Sequence, residues 1–172
     1  MNNFDELVRR LNECDLIVFD GASDAGKTYV ANQVASIMDK PHLDFDRYVD
    51  EFSNAPYINR INYSCLRNHI DNAEQSVVLS GVFALEIVRT LGYEEFTLVY
   101  VANVIPGTER YREQEFNDEE TLLALTPESN YQEVLNGDFG HAQEIIDQMV
   151  RVYHKNEKSK TLADIIYLNQ IE

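Results

Sequence analysis

Apolar residues in this chain alternate between two patterns. Short unbroken runs predict strands covered on both faces: Asp15–Asp20 (DLIVFD), Ser76–Ser80 (SVVLS), Phe96–Val101 (FTLVYV) and Ala163–Leu168 (ADIIYL). His42–Asp46 (HLDFD) predicts a further short strand. Between these runs the apolar positions recur at helical spacing. Phe4, Leu7, Val8 and Leu11 mark a short helix within residues 2–13, and Val30, Val34 and Ile37/Met38 mark one over 28–39. Ile61, Cys65, Leu66, Ile70 and Ala73 mark one over 58–73. Ala84–Leu91 reads as a helix stopped by Gly92 at its C′ position. Two or three helices fill 108–156, the last with Ile145, Ile146, Met149, Val150 and Tyr153 on one side. Strands alternating with helices, each strand apolar on both faces, predict one α/β domain: a three-layer α/β/α sandwich around a five-stranded parallel sheet.

The length of 172 residues suits a single domain with a substantial core. No repeat or linker interrupts it, and only seven glycines and four prolines punctuate it. The 30 acidic residues against 14 basic ones give a net charge of −16. That balance argues against a broad nucleic-acid footprint, which needs a basic surface, while leaving room for a small anion site. No run reaches the roughly 18 apolar residues of a membrane span, and the first residues lack the apolar core of a signal peptide. Cys14 and Cys65 have no paired spacing and read as free thiols of a cytosolic protein. His42, His69, His141 and His154 show no zinc-ligand spacing.

The segment joining the first strand to the next helix carries the candidate chemistry. Gly21-Ala22-Ser23-Asp24-Ala25-Gly26-Lys27-Thr28 matches G-x-x-x-x-G-K-[ST] in full, and it lies in the strand–loop–helix context that the motif requires. Gly21 and Gly26 let the backbone bend and approach a ligand without a Cβ in the way. The amides from Gly21 through Tyr29, Ala25 included, can form an anion nest at the positive end of the helix. Lys27 can reach the β- and γ-phosphates of a nucleotide, and the Thr28 hydroxyl can ligate Mg²⁺. Asp24 is unusual here, because its charge opposes a triphosphate unless a cation offsets it. The competing reading is an ordinary turn with a solvated lysine.

Phosphoryl transfer also needs a carboxylate on the metal and a group that orients or deprotonates the acceptor. Asp44 and Asp46 end the second strand, where ligands bind in open α/β sheets. Either both leave one side of the strand or the strand has already ended at Asp46. The bland alternative is a pair of loop carboxylates in a very acidic protein. Ser80-Gly81 ends the third strand and would leave a small hydroxyl near the loop if the first and third strands are neighbours.

Taken together, GASDAGKTYVA, HLDFDRY, VVLSGVFAL and FTLVYV resemble the uridine kinase-like branch of the P-loop nucleoside and small-molecule kinases. The likeness covers residues 15 to about 102. It implies a P-loop NTPase fold of the nucleoside/nucleotide kinase kind, in the cytoplasm. It implies transfer of phosphate from ATP, with Mg²⁺, to a hydroxyl of a small-molecule acceptor such as a nucleoside. Asp46 would be the acceptor base, or else Asp44, with Thr28 and Asp44 on the metal. Lys27, Arg110 and Arg112 would stabilise the transferring phosphoryl group. The arginines could instead be surface charges spaced i, i+3 from Glu113 and Glu109.

Several positions depart from the family pattern. Ser80 stands where the family has an acidic residue, and the segment that would cradle a pyrimidine nucleoside is not legible. Arg60 and Arg67, seven apart, would share a helix face toward an anionic or polar acceptor. A nucleotide-binding regulator without transferase activity is the alternative function. A nucleoside monophosphate kinase would want more basic residues, and no N-K-x-D segment suggests a GTPase. The 141–155 helix is a candidate homodimer surface.

Overall fold

The apolar run after Asp15 forms strand β1 (Leu16–Asp20), all five residues of it buried. Strands β2 (His42–Asp44), β3 (Val77–Ser80), β4 (Thr97–Asn103) and β5 (Ile165–Asn169) join it in one sheet of order β2-β3-β1-β4-β5. Every pairing is parallel. The computed structural model describes residues 1–22, 25–50, 57–73, 76–103, 153 and 159–169.

Successive strand residues point to opposite faces, so each face acquires its own core. Ile17, Phe19, Val78, Val99 and Ile165 pack with Leu7 and Leu11 of α1 (Phe4–Leu11) and with Val30, Ala31 and Val34 of α2 (Lys27–Met38). On the other face, Val18, Leu79 and Leu98 pack with Leu66 and Ile70 of α3 (Tyr63–Asp71) and with Ala84, Leu85 and Val88 of α4 (Ala84–Thr90). The result is the expected three-layer sandwich. A one-turn helix, α5 (Ser159–Leu162), precedes β5.

Local chemistry fixes the ends of these elements. The Asn3 side chain accepts from the Glu6 amide and caps α1, and Gly92 follows α4 with φ +81°. The second strand is shorter than its pattern suggests. It stops at Asp44, whose carboxylate accepts from the Asp46 amide and opens a 3-10 turn at Phe45–Tyr48. Of the two expected arrangements, the strand has therefore already ended at Asp46.

The helix expected over 58–73 is broken. Tyr57–Arg60 is a 3-10 turn, Ile61 pairs antiparallel with Val49, and the Asn62 side chain accepts from the Cys65 amide to start α3 afresh. Ile61 faces the core in either arrangement, so the apolar spacing concealed the break. Arg60 and Arg67 consequently do not share a helix. An Arg67 Nη donates to the Leu91 carbonyl, which ties α3 to the end of α4. The last strand starts two residues later than expected because Asp164 is used to join β4. Its amide donates to Leu98 O and its carboxylate accepts from Leu98 N. Apart from Tyr153, the helices expected over 108–156 lie outside the described residues, and so does most of the candidate dimer surface.

Candidate active site

The loop carrying the G-x-x-x-x-G-K-T motif leaves the C-terminal end of β1, the central strand, and enters the first turn of α2. Gly21 and Gly26 take φ values of +154° and +78°, a region that side chains resist. A Cβ on Gly21 would lie 2.4 Å from the Val101 carbonyl oxygen. Gly21→Ala is therefore expected to cost roughly 2–3 kcal/mol. In a domain of this size that lowers the melting temperature by about 5–10 °C in a thermal scan.

Lys27 is buried, and its Nζ turns back over the loop to donate to the Ala22 carbonyl at 3.0 Å. The ammonium is thus held over the Ala22 carbonyl near the start of the loop. Ala25 is buried and its amide donates to Ala22 O, a turn that closes the loop. Thr28 is half-buried on the first turn of α2. Tyr29 is exposed, and its hydroxyl accepts from Gln33 Nε2 one turn along the helix. Ser23 and Asp24, and the arginines Arg110 and Arg112, lie outside the described residues.

Two residues that the sequence reading did not single out hold the loop at its ends. Asp20, the last residue of β1, is fully buried. One carboxylate oxygen accepts from the Gly21 amide at 2.8 Å and the other from the Tyr153 hydroxyl at 2.7 Å. At the far end Asn169, the last residue of β5, donates its Nδ2 to the Ala25 carbonyl at 3.0 Å. That amide would lie 2.6 Å from a Cβ on Gly26, so this glycine makes room for the brace. Asn169→Ala should weaken nucleotide binding about three- to tenfold, the effect of one net hydrogen bond. Titration with a fluorescent nucleotide would measure it.

The acidic cluster lies on the β3 side of the loop. Register places Asp44 beside Ser80 and Ser80 beside Phe19, so the three share the sheet face that α2 covers. Burial raises the Asp44 carboxyl above its usual value, and the Asp46 amide partly offsets this. Ser80 is fully buried beside β1, as the neighbouring-strand expectation required. Its hydroxyl is already engaged, sharing a hydrogen bond of 2.8 Å with His42 Nε2. Burial pushes the His42 ring below its ordinary pKa and so favours a neutral partner. Where the resemblance led to a carboxylate, this chain has a neutral hydroxyl–imidazole pair.

Asp46 is exposed on the turn after β2, and one of its oxygens accepts from the Tyr57 hydroxyl at 2.5 Å. Burial above all, then the Asp46 carboxylate, raises the Tyr57 phenol well above its usual value, so it serves as a neutral donor. Arg60 lies close enough to oppose that shift, and its own Nε is buried without a hydrogen-bond partner. Gly81 makes a close approach to protein, since a Cβ there would lie 2.9 Å from the Phe45 ring.

No protein-family model matches the chain, and neither does any curated protein. Among solved structures, one described as a possible uridine kinase from Bacillus stearothermophilus is 13% identical, with a TM-score of 0.49 over 95% of this chain and 96% of that one. Shikimate kinase from Acinetobacter baumannii, solved in complex with shikimate, is 16% identical, with a TM-score of 0.47 over 96% of this chain and 88% of that one. The fold is that of an α/β P-loop NTPase, on the strength of the all-parallel sheet and the loop at its central strand. Among the described residues no helix is long and apolar enough to cross a membrane.

Proposed function

We propose that this chain is an ATP- and Mg²⁺-dependent phosphotransferase that acts on a hydroxyl of a small molecule such as a nucleoside. The observation that carries the reading is the loop between β1 and α2, with the Lys27 ammonium buried over its Ala22 carbonyl. A solvated lysine on an ordinary turn would be exposed, and a lysine held over the loop at the positive end of a helix favours phosphate.

Lys27 and those loop amides that are not already bonded within the protein hold the β- and γ-phosphates. An acceptor hydroxyl approaches from the side of Asp46. Its oxygen forms the new bond to the γ-phosphorus as the bond to the bridging oxygen of ADP breaks. Its proton passes to the Asp46 oxygen that Tyr57 does not occupy. Thr28 and Asp44 offer hard oxygen donors of the kind Mg²⁺ prefers, and one or two protein ligands beside phosphate oxygens are its usual share. When bound there, the ion neutralises charge on the β- and γ-oxygens. Arg110 and Arg112 are proposed to close over the phosphates. Two free cysteines suit the reducing cytoplasm.

A second reading, a nucleotide-binding protein that transfers nothing, is favoured by Ser80. Its hydroxyl faces His42 in the position where the resemblance led to an acidic group. Incubation with γ-labelled ATP, Mg²⁺ and a panel of nucleosides, vitamins and a metabolite extract separates the two. A labelled small molecule is the expected product. Bound ATP with no labelled product in any mixture would favour the second reading.

A further inference from the structure

Three aromatic rings run through the interior between the two carboxylates of this site. Tyr57 donates its hydroxyl to Asp46, and its ring centroid lies 5.6 Å from that of Phe83 at a tilt of 40°. Phe83 in turn meets Tyr153 edge to face, with centroids 5.2 Å apart at 69°. Tyr153 donates its hydroxyl to Asp20 and accepts from the Leu85 amide at 3.0 Å. All three rings are buried. The middle one is anchored independently: Phe83 holds φ +59° as the N-cap of α4, and the Leu85 amide bond fixes the third ring to the first turn of the same helix.

We infer that Tyr57, Phe83 and Tyr153 form a strut that sets the separation between Asp46, on the acceptor side, and Asp20, which orients the first amide of the phosphate loop. A reaction between two bound partners depends on their spacing, and a displacement of about 1 Å can cost a hundredfold in rate. The loops after β1 and β2 belong to strands that β3 separates, so no direct strand pairing joins them. At the edge-to-face contact of Phe83 with Tyr153 the electropositive ring edge is held against the negative face of its neighbour, a preference aliphatic side chains lack, while Tyr57 and Phe83 meet at a tilt. Tyr57 and Tyr153 are thus positioning residues, and Phe83 transmits between them. The assignment of roles rests on the phosphotransferase reading, but the strut itself is a property of the fold.

Amide hydrogen exchange at Gly21 tests it without reference to catalysis, with the Val99 amide in the sheet core as the reference. Tyr153→Phe keeps the ring and removes the hydroxyl from Asp20, and should speed Gly21 exchange on the order of tenfold. Phe83→Leu keeps most of the apolar volume and removes the flat ring between the tyrosines. It should speed Gly21 several-fold although it touches neither Asp20 nor Gly21, and Val99 should stay at its wild-type rate in both variants. Unchanged Gly21 exchange in Phe83→Leu would overturn the strut and leave two separate hydroxyl contacts. Equal acceleration of Gly21 and Val99 would also overturn it, because the rings would then support the core at large. In the transfer assay, Tyr57→Phe should lower kcat with the KM for ATP unchanged. A wild type that transfers no phosphate would sink the phosphotransferase reading and leave the exchange result standing.

Discussion

Lys27→Ala is expected to weaken the binding of ADP and ATP by about two orders of magnitude, the loss of a charge-assisted contact in a partly dry site. The position of the ammonium decides the size of the effect. Lys27 is buried at the first residue of α2, and its Nζ rests on the Ala22 carbonyl at 3.0 Å. A nucleotide would replace that neutral carbonyl with phosphate oxygens, so the wild type gains a charged pair on binding and the alanine variant does not. The fold should survive, because helices α1 and α2 keep their apolar contacts with the sheet. Calorimetric titration of the folded variant would test this. Binding at wild-type strength would remove Lys27 from the phosphate site, and the loop would then be a turn of another kind.

The second large effect is expected at Asp46. Asp46→Asn preserves shape and can still accept from the Tyr57 hydroxyl, so neither the turn at Phe45–Tyr48 nor the ring beneath it should move. What disappears is the ability to take a proton from an acceptor hydroxyl. General-base contributions of this kind are worth about 10²- to 10⁴-fold, and kcat should fall within that range. Nucleotide affinity should not fall by more than about twofold, since Asp46 serves the acceptor hydroxyl and its negative charge adds nothing favourable to the binding of phosphate. A variant with unchanged kcat would strike Asp46 from the mechanism and turn attention to Asp44. An equal loss of binding and turnover would instead mean that the carboxylate shapes the loop.

Much of this architecture was legible along the chain because it rests on local signals. The sheet could be read from four short apolar runs and the HLDFD segment, and the loop from glycines that its curvature requires. The remainder depends on contacts between distant residues, which leave no periodic mark. Asp20 closes the DLIVFD run and looked like the ordinary polar end of a strand. Its partner Tyr153 comes from a distant part of the chain that was read simply as the inner side of a helix. Asn169 acts on Ala25 from the end of the last strand.

The departures in the acidic region have a similar origin. HLDFD alternates as a strand should, but Asp44 can satisfy the Asp46 amide locally and so turns the chain early. Asn62 does the same within an otherwise helical stretch, where its side chain caps α3. Short polar side chains that can bond their own backbone override the apolar pattern at both points. The pairing of Ser80 with His42 was not visible either, because it depends on β2 and β3 lying side by side.

The loop is proposed to deliver a phosphoryl group to a hydroxyl on the Asp46 side. The most direct measurement runs wild type and Asp46→Asn together, with γ-labelled ATP, Mg²⁺ and a metabolite extract, while nucleotide occupancy is followed in the same tubes. A labelled small molecule from the wild type, little or none from the variant, and equal occupancy in both are expected. Equal occupancy with no labelled product from either protein would contradict this, and the chain would then be a nucleotide-binding protein that keeps the phosphate where it is.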